Sequence, residues 1–138
     1  MRKILLLFVL LLVAIVSHAK EGMCDFIFQS GDIYYQVKDG NAWISRKAHY
    51  GYEDIVIWEN NCYSGDIVIP ETLGGMKVVG ILKSAFDGSE NLTSVKIPST
   101  VRIIEETAFD GTTKLSEITI PASVESMGTY CLRNSGVK

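Results

Sequence analysis

The chain predicts an α/β-type repeat solenoid with short parallel strands, little helix, and a β-rich capping segment at its N-terminal end. Three observations carry that prediction. Ile81-Leu82-Lys83-Ser84-Ala85-Phe86-Asp87-Gly88 recurs as Ile104-Glu105-Glu106-Thr107-Ala108-Phe109-Asp110-Gly111, 23 residues on. Leu92-x-x-Val95-x-Ile97-Pro98 recurs at the same offset as Leu115-x-x-Ile118-x-Ile120-Pro121. The residues before position 65 break this period, are rich in β-formers, and hold both tryptophans, Trp43 and Trp58. A fixed short period with an L-x-x-I-x-I core is the signature of a leucine-rich repeat, whose coils bury their apolar faces only by stacking on one another.

Residues 1–19 read as a signal peptide. Arg2 and Lys3 precede an apolar run from Ile4 to Val16, and Ser17-His18-Ala19 supplies small residues before an expected cleavage after Ala19. The run is shorter than the roughly 20 residues a spanning helix requires. Glu21-Gly22-Met23 ahead of Cys24 makes a poor lipobox, so ordinary cleavage is expected. Loss of Arg2 and Lys3 would leave 11 basic against 16 acidic residues, a net charge of −5. Such a chain has no electrostatic footprint for nucleic acid or for an anionic membrane.

Residues 20–64 are expected to form the cap. Asp32–Val37 and Ala42–Ser45 read as strands joined across Asp39-Gly40, a strong hairpin signal. Asp54–Trp58 reads as a third strand, and residues 59–65 as a polar connector. A cap is needed because the first coil would otherwise leave an apolar end in water.

Residues 65–138 hold the repeats. Asp66-Ile67-Val68-Ile69-Pro70 is the earliest strand, and Pro70 lies 28 residues before Pro98. The extra residues fit an enlarged turn around Thr72-Leu73-Gly74-Gly75-Met76. Regular coils follow over about 80–102 and 103–125. In each, Val95 and Ile97 alternate into the core while Ser94 and Lys96 point out. Pro98 ends the strand, because it cannot donate to a ladder. Glu106–Phe109 is expected to make a single helical turn that places Ala108 and Phe109 inward, and Asp110-Gly111 then turns the chain back. Met127 and Leu132 take the Ile104 and Phe109 slots of a last, incomplete coil. The expectation is a piece of a longer repeat protein.

Ile81, Ala85, Phe86, Gly88, Leu92, Val95, Ile97 and Pro98, with their copies 23 positions on, make a pattern that resembles the BspA-like leucine-rich repeat family of bacterial surface proteins. The match covers about residues 64–138. Asp32-Ile33-Tyr34-Tyr35 and Tyr63–Pro70 are also similar to the segment that often precedes these repeats in Bacteroides-type organisms. The resemblance implies a right-handed stack with a parallel sheet on one side. It further implies a secreted or cell-surface location and a role in adhesion to host matrix proteins or other cells. Few coils are present for a large concave surface, which is a departure from the pattern.

Little in the chain speaks for catalysis. Only His49 survives removal of the leader, and it has no Cys or Asp at ligand spacing, so neither a zinc site nor a Cys-His pair is expected. The Asp-Gly pairs at 87–88 and 110–111 supply one carboxylate per coil and read as turns rather than calcium ligands. Asn91-Leu92-Thr93 matches a glycosylation acceptor, but Leu92 is a core position. No cofactor and no catalytic residue is expected. Of three cysteines, Cys24 and Cys62 could bridge within the cap, while Cys131 occupies the small-residue slot of Ala85 and Ala108.

The expected function is therefore a non-catalytic protein-binding module. Its candidate surface is two ladders of outward residues, Asp66, Ser94 and Glu117 in one and Val68, Lys96 and Thr119 in the other, flanked by Thr93 and Ser116. Strand stacking at about 4.8 Å is expected to bring Lys96 near Glu117. The alternative is glycan binding through an aromatic patch of Trp43, His49, Tyr50 and Tyr52, although cap packing is the expected role of Trp43.

Overall fold

The computed structural model describes residues 27–46, 48–50, 56–58 and 63–138, with backbone only at 48–50 and 56–58. The leader, the Cys24 and Cys62 pairing and Tyr52 lie outside the described residues. In chain order the strands are β1 (Ile27–Ser30), β2 (Ile33–Lys38), β3 (Asn41–Ile44), β4 (Ala48–Tyr50), β5 (Val56–Trp58) and β6 (Ser64–Val68). They continue as β7 (Thr72–Leu73), β8 (Met76–Ile81), β9 (Asn91–Lys96), β10 (Ile103–Ile104), β11 (Glu117–Thr119) and β12 (Ser126–Met127).

Two walls enclose the core. One is the sheet β1-β2-β3-β8-β10-β12, with β7 added as a hairpin arm on β8; the other is the parallel sheet β6-β9-β11. The hairpin β2–β3 forms as its Asp-Gly signal predicts. Asp39 and Gly40 both take left-handed conformations (φ 52° and 72°), the twist that suits a two-residue turn between right-twisted strands. Strand β4 pairs antiparallel with β5, which falls within the predicted third strand.

The N-terminal hairpin, the segment expected to act as a cap, joins the solenoid by backbone pairing. Strand β3 runs parallel to β8, with Trp43 opposite Gly80 and Ile44 opposite Ile81. Because β8 pairs with β10 and β10 with β12, Ile44 continues the column Ile81, Ile104, Met127 by one layer. Between the walls runs a second column. The Tyr63 and Phe86 rings lie 4.5 Å apart and those of Phe86 and Phe109 4.9 Å apart, all three buried. Tyr63 precedes Phe86 by the same 23 residues, so it is a core residue and not part of a polar connector. Its hydroxyl donates to the Ser45 carbonyl at 2.8 Å and accepts from the Tyr34 amide at 3.1 Å, tying the cap to the column.

Two expectations are corrected. The enlarged turn at 72–76 is the β7–β8 hairpin, closed by Gly74 and Gly75 at φ 56° and 80°. The single helical turn at Glu106–Phe109 is a run of hydrogen-bonded turns instead. Thr107 sits at φ 54°, which a right-handed helix cannot contain, and Ser84 and Tyr130 repeat that geometry one coil away on either side. Ala108 and Phe109 nonetheless face inward and are fully buried, as expected. Coils are linked here as well, through Phe86 N–H to Ala108 C=O (2.8 Å) and Phe109 N–H to Cys131 C=O (2.9 Å). Cys131 is buried in the small-residue slot, and that burial pushes its thiol pKa up.

Candidate binding surface

The outward face of β6-β9-β11 is built by the repeat itself. In-register parallel pairing sets Asp66 beside Ser94 and Ser94 beside Glu117, and likewise Val68 beside Lys96 and Lys96 beside Thr119. Val95 and Ile97 are buried beneath them, so the strand alternation forces their neighbours outward. Val68 is 65% exposed, the highest value among the exposed large hydrophobic residues described.

The first ladder is ordered by an irregularity. Between Gly65 and Asp66 the register with β9 shifts, leaving Thr93 as an extra residue opposite β6. A bulge turns successive residues toward the same side. Thr93 and Ser94 consequently both donate their hydroxyls to Oδ1 of Asp66, at 2.8 and 2.7 Å. Those two hydrogen bonds, Ser94 foremost, hold the Asp66 carboxyl below its usual pKa. Ser116 follows Thr93 in the next coil, its amide donating to the Thr93 carbonyl at 3.0 Å.

Lys96 does not meet Glu117. The register leaves the two diagonal, and among the described residues no ion pair joins them. Lys96 and Glu117 are both exposed. The ion pairs among the described residues lie elsewhere: Lys83 Nζ to Glu106 at 2.8 Å, Arg102 Nε to Glu125 at 3.7 Å, and Arg133 to Asp110. Asp110, Arg133 and Asp87 share one slot at 23-residue spacing, and Asn134 adds a 3.2 Å bond to the same carboxylate. The Arg133 hydrogen bond comes first among the causes that hold the Asp110 carboxyl low.

Of the alternative aromatic patch, only the Trp43 side chain lies among the described residues. Trp43 is half-buried in the cap, its ring over the face of Gly80 and the Lys38 ammonium 5.3 Å from its centre. His49 and Tyr50 belong to β4, but their side chains lie outside the described residues. No group of three or more His, Cys, Asp or Glu converges as a metal site among the described residues, and no helix among them is long and apolar enough to cross a membrane.

Residues 59–138 match the BspA type leucine-rich repeat region, in six copies, which is more than half of the chain. The chain therefore belongs to that family. Among solved structures it is similar to a T. pallidum leucine-rich repeat protein, at 25% identity and a TM-score of 0.62 over 78% of this chain and 45% of that one. A leucine-rich repeat protein from Bacteroides ovatus ATCC 8483 gives 26% identity and 0.59 over 80% of this chain and 34% of that one. A leucine-rich cell surface protein from Faecalibacterium prausnitzii A2-165 shares the fold at 23% identity and 0.58, over 84% of this chain and 31% of that one. The chain spans less than half the length of each of these three. No functionally curated protein matches it. The family is a non-enzymatic repeat module of the kind that mediates protein–protein contacts.

Proposed function

We propose that this chain is an exported, cell-surface module that adheres to a protein partner, in host matrix or on another cell, through the outward face of β6-β9-β11. The observation that carries the reading is the pair of in-register ladders. Across them the core letters repeat and the exposed letters change: Asp66, Ser94, Glu117 and Val68, Lys96, Thr119. Packing explains the repeated letters. It makes no demand on the changing ones, and Val68 stands 65% exposed in their midst. An exposed apolar residue beside unpaired charge is what a partner surface can use. Export rests on the leader-like residues 1–19.

The test is capture on a panel of immobilised matrix proteins, run beside a glycan array. Lys96→Glu and Val68→Asp are expected to weaken matrix capture by about tenfold or more, the scale of an interface hot spot. His49→Ala is expected to leave it unchanged. Glycan retention abolished by Tyr50→Ala or Tyr52→Ala, with no protein captured, would overturn the reading in favour of a carbohydrate-binding accessory role.

A further inference from the structure

A cleft of about 310 Å³ opens where the cap meets the outer edge of the β6-β9-β11 sheet. Its walls come from the β1–β2 turn (Ser30 and Asp32) and from Asp66 and Val68 of β6. Ile33 and Leu73 close its floor, and both are buried. The lining therefore joins an apolar floor to two carboxylates, with no lysine or arginine among its residues. Asp66 uses Oδ1 for both the Thr93 and Ser94 hydroxyls, and no hydrogen bond to its Oδ2 is found among the described residues. Asp32 is exposed on its turn.

Backbone geometry adds a second handle. The order of the sheet is β11-β9-β6, so among the described residues no strand pairs with the outer side of β6. Every second N–H and C=O of an edge strand points away from its sheet and can template an incoming strand.

We propose that this cleft docks an extended segment of the partner protein along the outer edge of β6, which no described strand pairs, with one lysine or arginine side chain seated between Asp32 and Asp66. The inference rests on the protein-adhesion reading above and names the chemistry of the partner. Charge complementarity selects the occupant. The cleft offers carboxylates only, on a chain of net charge −3, so a cation is drawn in and an acidic segment is repelled. The aliphatic stem of lysine or arginine suits the floor, since such stems lie along apolar surface while the charged head stays hydrated. Val68, 65% exposed at the mouth, supplies the contact for that stem. Asp66 is pre-positioned by its two hydroxyl donors, so it need not be ordered on binding.

The experiment selects short random peptides from a displayed library on the whole chain, and then measures the winners against variants by fluorescence anisotropy. Selection is expected to enrich lysine or arginine at one fixed position within β-forming residues. Asp32→Asn with Asp66→Asn keeps shape and the acceptors for Thr93 and Ser94, and is expected to weaken the winners about tenfold or more. Val68→Lys, at an exposed site, places a cation of the chain's own in the cleft and is expected to block binding without touching either carboxylate. Winners without a basic residue, or winners that bind both variants as well as the parent, would overturn the proposal. The same variants are run in the matrix capture assay. Capture kept by the Asp32→Asn, Asp66→Asn pair but lost in Val68→Lys sinks the cleft and spares the adhesion reading, whereas capture kept in both, or absent from the parent chain, sinks the adhesion reading as well.

Discussion

Tyr63 is the residue at which the cap and the stack are joined. Its ring begins the aromatic column and its hydroxyl satisfies one carbonyl and one amide of the cap, Ser45 and Tyr34. Tyr63→Phe keeps the ring and removes the donor to the buried Ser45 carbonyl, so it is expected to cost about 1–3 kcal/mol, the usual penalty for an unsatisfied buried partner. Phe109→Ala removes the ring at the centre of the stack and is expected to cost about 3–5 kcal/mol. Urea denaturation followed by circular dichroism measures both, and a loss under about 1 kcal/mol for Phe109→Ala would contradict the column. Asp110 gives a pH-dependent test. Its folded pKa is lowered, first by the Arg133 hydrogen bond, so its contribution is complete above the unfolded value near about 4 and is lost as pH falls through the folded value. Asp110→Asn is therefore expected to be less stable than the parent at pH 7 and to close the gap below about pH 4. Melting curves that stay parallel across that window would refute the linkage.

At the scale of elements, the junction of β3 with β8 decides whether the cap stays docked. A Cβ on Gly80 would overlap the six-membered ring of Trp43, so Gly80→Ala must swing the indole off the strand. With Trp58→Phe as background, so that Trp43 alone emits, the expected outcome is a red-shifted emission and a lower melting temperature. Unchanged emission would mean that the indole does not rest on Gly80. The sequence makes some elements plain and conceals others, for physical reasons. Strands β9 and β11, their terminal prolines and the inward Ala-Phe pair follow from the 23-residue period, because each copy meets the same environment. Strand β1 and the β7–β8 hairpin break the period, and no copy elsewhere points to them. The parallel β3–β8 pairing joins residues more than 30 positions apart, and no local pattern encodes such a partner. Tyr63 was legible at its 23-residue spacing from Phe86, but its polar neighbours masked it. The ladders of the candidate surface were legible as register. The link from Asp66 to both Thr93 and Ser94 was not, since it depends on a bulge that alternation does not foresee.

Taken as a whole molecule, the stack is graded. Ile44, Ile81 and Ile104 are fully buried, while Met127, next in the same column, is 43% exposed. The other core column falls off in the same direction, with Phe86 and Phe109 fully buried and Leu132 only partly so. Each coil is stabilised by its neighbours, so a coil covered on one side carries one interface where an inner coil carries two. In residues 1–138 taken by themselves, that asymmetry predicts opening from the C-terminal side in steps rather than all at once. The amides that bond the last coil to the one before it, Gly128 to the Ile104 carbonyl and Glu125 to the Arg102 carbonyl (both 2.8 Å), should exchange with solvent first. Those one layer deeper, Glu105 to Ile81 and Arg102 to Val79 (both 2.9 Å), should exchange more slowly. Leu82, bonded to the Ile44 carbonyl at 2.9 Å across the cap junction, should be among the last. Native-state hydrogen exchange resolved by residue reads this order directly. Equal protection at Gly128, Glu105 and Leu82 would mean that cap and coils open as one cooperative unit, and that the parallel junction at β3–β8 couples the stack more strongly than its nearest-neighbour contacts do.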